Sequence, residues 1–180
     1  LGVEWTETPI ATLSAPRGKA HPCVYRGFCT SGCSTNAKQS VLVTWLPRAL
    51  EAGAEIRDLA MVGRIETKNG RATGVHYQRD GKWRFQRAKN VVVAGYAIET
   101  PRLLLNSANA EFPDGLANSS GLVGKNLMVQ LNQAAWGEVD EEVRGYKAPP
   151  SLAISEHWNY CDEKDYHGGW CYMSQGPLPI

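Results

Sequence analysis

The sequence predicts a mixed α/β fold, with helical and extended segments in one domain and a small antiparallel meander set into its sheet. Three observations predict it. Val41, Leu42, Trp45, Leu46, Ala49 and Leu50 recur at steps of one, three and four, the signature of one apolar helix stripe. Residues 56–87 alternate apolar and polar positions around two hairpin signals, Asn69-Gly70 and Asp80-Gly81. Val91-Val92-Val93 then runs through Ala94-Gly95 into Thr100-Pro101 and three leucines, reading as a short strand buried on both faces, a small-residue turn and a helix start. The order helix, meander, strand, helix excludes a simple repeated βαβ series.

Taken in chain order, the opening 22 residues are irregular, with a short strand expected at Ile10–Leu13 and a turn at Pro16-Arg17-Gly18. Cys23 to Cys33 forms a compact glycine-containing loop holding three thiols, Cys23, Cys29 and Cys33. The helical pattern follows from Thr35 to Ala52. Pro47 within it predicts a kink or two shorter helices, and Gly53 its end. In the meander, Ile56, Ala60, Val62 and Ile65 precede the first turn, Thr73, Val75 and Tyr77 lie between the turns, and Trp83 and Phe85 follow. Gly121 to Met128 is a glycine-bracketed turn, and Val129–Val139 is expected to be a strand. The end is rich in aromatics: Trp158, Tyr160, Tyr166, Trp170 and Tyr172.

Charge and length bound the function. Nineteen basic and 18 acidic residues in a chain of 180 leave +1, dispersed without runs, so electrostatics favours neither nucleic acid nor an anionic membrane surface. No apolar run approaches the length of a bilayer span, and the 43% of hydrophobic residues suits a packed core. The chain starts at Leu1 without the features of a signal peptide, and is expected to be a fragment or a processed piece. Its five cysteines are an odd number, which argues against a pure disulfide framework; Cys161 and Cys171 could pair in an exported protein.

A small-residue turn between a strand and a helix start is where α/β proteins seat nucleotide-like ligands, although Val91–Gly95 also reads as an ordinary buried strand with a tight exit. Four segments in sequence go further: Lys38–Pro47, Ala54–Val75 with its Gly70-Arg71-Ala72-Thr73-Gly74-Val75, Val91–Leu105, and Val123-Gly124-Lys125-Asn126-Leu127. In this order and spacing the chain resembles the glucose–methanol–choline (GMC) oxidoreductases, FAD-dependent enzymes that oxidise alcohols and sugars. Cys29-x3-Cys33 with Asn36-Ala37-Lys38-Gln39-Ser40 resembles the bacterial dehydrogenase branch, which includes the large subunits of gluconate, fructose, sorbitol and glucose dehydrogenases. Two places depart from the family pattern: Asn106-Ser107-Ala108-Asn109 replaces a Ser-Gly ending, and Val129-Gln130 stands where an acidic residue and a histidine are usual.

The resemblance implies that residues 1–128 are part of a Rossmann-like FAD-binding domain, and that residues 129–180 begin a substrate domain. The family's Gly-x-Gly-x-x-Gly, which seats the FAD pyrophosphate, does not occur in this sequence, and the family's catalytic histidine would lie beyond Ile180. None of His21, His76, His157 and His167 matches it. By the same resemblance the backbone of Val62 would meet the FAD adenine edge, and Ala94 and Gly95 would face the adenosine diphosphate part; Val62 reads equally as a core valine. Cys23, Cys29 and Cys33 would suit a three-iron iron–sulfur cluster, and read otherwise as structural thiols. His21 as a fourth ligand for zinc is a poorer match.

The expected function is therefore that of a fragment of an FAD-dependent dehydrogenase acting on CH–OH groups of alcohols, sugars or sugar acids. Electrons would pass to a cytochrome c or quinone, with a small partner subunit possible and a periplasmic or membrane-attached location implied by the branch. The alternative is a cysteine-rich iron–sulfur or metal-binding electron-transfer module without flavin. A third expectation is that this chain alone binds nothing.

Overall fold

A computed structural model describes residues 2–135, 137–142, 144–147, 149, 151–159, 165 and 168–175. In chain order its elements are β1 (Thr6–Glu7), α1 (Trp45–Glu51), β2 (Met61–Lys68), β3 (Arg71–Arg79), β4 (Lys82–Arg87), α2 (Tyr96–Asn106), a 3-10 turn at Gly145–Lys147, β5 (Ala153–Ser155) and β6 (Tyr172–Met173). Two compact units divide them: Leu1–Glu55 with Trp136–Ile180, and Ile56–Ala135. Each holds a three-stranded antiparallel sheet, ordered β1-β5-β6 in the first and β2-β3-β4 in the second. The fold is thus mixed α and β, and every strand pair among the described residues is antiparallel.

The meander forms as the sequence predicts because its turns are chemically specified. Asn69 and Gly70 take φ of 52° and 71°, and Asp80 and Gly81 take 52° and 71°. Both central positions are left-handed, which suits the two-residue hairpin turn and the right-handed twist of its strands. Irregularities between Val62 and Arg64, and between Glu66 and Thr67, shift the β2–β3 register and bend β2. Ile65, Tyr77 and Leu116 form the small buried core of this unit.

Three expected elements differ. Val91–Val93 forms no strand, and Val92 is 89% exposed. A strand of this kind is stabilised only by neighbours on both sides, and no described segment supplies them. Helix α2 begins at Tyr96, with Gly95 as its cap, five residues before the expected start with Thr100 as cap and Pro101 as first helical residue. Pro101 therefore lies inside the helix, where it forgoes one backbone bond. Residues 129–135 and 137–139 form no strand, and Leu131 is 97% exposed.

In the first unit α1 is a seven-residue helix, not an eighteen-residue one. Pro47 is its third residue, in the first turn, where a missing N–H costs no intrahelical bond, so it produces no kink. Gly53 ends the helix at φ 89° with its N–H on the Leu50 carbonyl, as expected. The stripe residues Val41, Leu42 and Trp45 are exposed. Ile10–Leu13 makes one bridge, Thr12 to Lys38, and Arg17 and Ala20 close the predicted turn with reciprocal 3.0 Å bonds.

Candidate functional site

Val62 lies near the start of β2, opposite Tyr77 and half-buried. Because β2 is the outer strand of its sheet, one of its backbone edges faces no other strand. Helix α2 packs against β2, the strand that carries Val62, and the Ala94-Gly95 turn opens that helix. Arg102 links the two elements near that end: its Nε donates to Glu99 Oε2 at 2.6 Å and its Nη2 reaches the Met61 sulfur at 3.8 Å. Nothing in the sequence pattern singled out Arg102, because its value depends on α2 lying beside Met61.

Ala94 and Gly95 are both exposed, so their backbone is open to a ligand. A Cβ at Gly95 would lie 3.1 Å from the Thr100 nitrogen and from Glu99 Cβ, so the small residue also serves the chain's own turn into α2. Ala94 and Gly95 thus leave a small, open wall ahead of the helix N–H groups.

The three cysteines line a single cavity of about 460 Å³ together with Tyr25, Phe28 and Arg26. Left-handed Tyr25 (φ 54°) and Gly27 (φ 73°) fold the loop around it. Cys33 accepts the Lys38 N–H at 3.5 Å and lies 3.6 Å from the Thr35 hydroxyl. Those bonds, the Lys38 amide first, stabilise its thiolate and pull the thiol down to about 7. The Tyr25 N–H points to the Cys23 sulfur at 3.4 Å, and Lys38 Nζ donates to the Cys29 carbonyl at 2.7 Å. Sharing a cavity is not sharing a metal: among the described residues no three Cys, His, Asp or Glu side chains are placed to hold an ion.

The other singled-out residues take structural places. His76 has its Nε2 3.0 Å from Glu66 Oε2, while its ring packs on Phe85 at 4.9 Å between centroids. Thr73 also donates to Glu66 Oε1 at 2.8 Å. The His76 and Thr73 hydrogen bonds hold the Glu66 carboxyl below its ordinary range. Sequence reading missed this pair because an extra residue in β3, Thr73, moves the register one residue from the one the turn implies. In the first unit Trp158 stacks on Trp170 at 5.8 Å and meets Tyr172 edge-on at 5.3 Å, with His157 at its side. Cys171 is an exposed free thiol. Tyr160, Cys161, Tyr166 and His167 lie outside the described residues.

Comparison with known proteins places the chain in a class. Residues 12–132 match the family model for GMC oxidoreductase, and the chain belongs to that family. It is 39% identical over 163 residues to 2-methyl-1,2-propanediol dehydrogenase of Mycolicibacterium austroafricanum, covering 89% of this chain and 30% of that protein. Paromamine 6'-oxidase of Streptomyces fradiae is 31% identical over 192 residues, covering 99% of the chain and 36% of the relative. The fructose dehydrogenase large subunit of Gluconobacter japonicus is 36% identical over 130 residues, covering 71% and 24%. The chain thus spans about a third of the length of the first two relatives.

Proposed function

We propose that this chain is part of the flavin-binding domain of an FAD-dependent oxidoreductase that acts on CH–OH groups of alcohols, sugars or sugar acids. The observation that carries the reading is the small open turn Ala94-Gly95 at the head of α2, the helix that packs on β2 with its Val62, within the residues that match the family. Val62 holds the adenine edge through its backbone, and Ala94 and Gly95 leave room for the adenosine diphosphate part. Bound FAD supplies a two-electron acceptor for hydride from the substrate carbon. Residues 1–128 belong to its flavin domain, of Rossmann-like kind, and residues 129–180 begin its substrate domain.

The similarity to proteins named as dehydrogenases, among them a large subunit, supports transfer of the electrons to an acceptor other than oxygen, a cytochrome c or a quinone, with a small partner subunit. A periplasmic or membrane-attached location follows from that branch; among the described residues no helix is long and apolar enough to cross a membrane. The purified full-length protein is expected to be yellow and to bleach on addition of its alcohol or sugar. A folded, colourless protein would refute the reading.

A second reading, a cysteine-rich electron-transfer module without flavin, is favoured by one observation: three thiols around one cavity. Since those thiols are not arranged as a metal's ligand set, no electron path is drawn through iron. Metal analysis with a visible spectrum separates the two readings, iron without flavin supporting the second.

A further inference from the structure

The two elements that carry Val62 and the Ala94-Gly95 turn are tied together at the far end of α2. Ser107, which caps that end, is 0% exposed. Its hydroxyl donates to the Leu103 carbonyl at 2.6 Å and accepts the Ile65 N–H at 2.9 Å. Ile65 is 4% exposed and β2 has a strand on one side only, so this amide would otherwise be a buried donor without an acceptor. One hydroxyl thus takes the place of a neighbouring strand and ends a helix at once.

A second tie lies two residues on. Asn109 Nδ2 donates to Thr67 Oγ1 at 3.0 Å, while Asn109 Oδ1 accepts the N–H groups of Glu111 and Phe112 at 2.9 and 3.0 Å. Leu116 N–H returns to the Leu104 carbonyl at 3.0 Å, and a side chain at Gly115 would press on the same carbonyl at 3.0 Å. The C-terminal turn of α2 is therefore fixed to β2 at two residues, Ile65 and Thr67, three and five positions beyond Val62. Arg102 adds a weaker tie at Met61, so the hold of the eleven-residue helix on β2 rests mainly on its C-terminal end and sets where its other end lies. Loosening Ser107 lets the Ala94-Gly95 turn move relative to Val62 without touching either.

We propose that Ser107, supported by Asn109, is a positioning residue for the nucleotide half of the flavin. It sets the spacing between α2 and β2 at which the Val62 backbone and the Ala94-Gly95 turn meet one ligand. The proposal rests on the flavin reading above. Ser107 itself contacts no cofactor or substrate atom.

The test uses the full-length protein, stripped of cofactor, with FAD and adenosine diphosphate as probes and three variants: Ser107→Ala, Ser107→Cys and Thr67→Val. Ser107→Cys keeps the shape of the side chain with a larger atom that weakens both hydrogen bonds, and Thr67→Val leaves the buried site intact while removing the acceptor for Asn109. FAD affinity, read by flavin fluorescence, is expected to fall about tenfold or more for Ser107→Ala. Adenosine diphosphate should weaken by the same factor, since only the nucleotide half is displaced, and the rise in Tm on adding FAD should shrink. Thr67→Val should show the same pattern, about threefold or more, and decides the matter if Ser107→Ala does not fold. Variants that lower Tm equally with and without FAD, at unchanged affinity for both probes, would reduce Ser107 to a structural serine and overturn the proposal alone. A wild-type protein that binds neither probe would overturn the flavin reading and this one with it.

Discussion

Gly63 and Gly74 lie on neighbouring strands, take negative or extended φ, and ought to respond differently to the same substitution. At Gly74 an added Cβ would overlap the Gln86 carbonyl oxygen and lie 2.6 Å from Phe85 Cζ. The carbonyl is backbone of β4, held by the β3–β4 ladder, and cannot yield without disturbing the pairing of Gly74 with Arg87. At Gly63 the overlap is with the ring of Trp83 alone, a side chain that is 63% exposed and free to swing outward. Replacing glycine by alanine ordinarily stabilises by about 0.4–1 kcal/mol through the unfolded chain. Overpacking against an immovable neighbour costs about 1–3 kcal/mol, leaving Gly74→Ala destabilising by roughly 0.5–2 kcal/mol. Gly63→Ala should stay within about 0.5 kcal/mol of wild type. Thermal unfolding followed by circular dichroism resolves the difference, at roughly 4–8 °C per kcal/mol for a unit of this size. Equal Tm values for the two variants would refute the reasoning that backbone and side-chain neighbours yield differently.

Other consequences are as specific. Alkylation of Cys33 by iodoacetamide, followed by mass spectrometry, should rise with a half-point near pH 7, and Thr35→Val should move that point upward. Glu66 has its pKa lowered by His76 and Thr73, so its contribution to stability is present above the ordinary glutamate value of about 4.3 and is lost as pH falls through the folded value. Urea midpoints measured from about pH 6 to about pH 3 should accordingly fall less steeply for Glu66→Gln than for wild type. Gly70, at φ 71° where a Cβ would meet only Glu111 Oε1 at an ordinary 3.7 Å, should lose about 1–2 kcal/mol as alanine and less as asparagine, because only backbone strain is at issue.

These residues also mark what could be read from the sequence. The two hairpin turns were legible because the chemistry of Asn69-Gly70 and Asp80-Gly81 is local, and with them came the strands on either side. Gly53 as a helix end was legible for the same reason. Val91–Val93 was not, since a three-valine run announces a buried strand only if partners flank it, and pairing is a property of the assembled sheet. The start of α2 misled because Thr-Pro is a strong helix opening; here Tyr96, at φ 65°, begins the helix one turn earlier and Pro101 is carried inside. At the candidate site the small pair Ala94-Gly95 could be picked out by size, whereas Arg102 and Ser107 could not. Their importance comes from the packing of α2 on β2, which brings together residues about forty positions apart. The cysteines were conspicuous in sequence, yet their separate hydrogen bonds to Tyr25 and Lys38 depend on loop conformation that spacing alone does not specify.

The central claim, that this chain supplies a wall of an FAD site, is tested most directly by binding. The full-length protein is purified, its flavin identified after release, and the apoprotein titrated with FAD for wild type and for Gly95→Val, whose branched side chain would crowd the first turn of α2 and the open wall together. The account predicts FAD at one per chain in wild type, bleached by an alcohol or sugar, and an affinity lowered about tenfold or more in the variant. A folded wild-type protein without FAD, or a Gly95→Val protein that binds it as tightly as wild type, would contradict it.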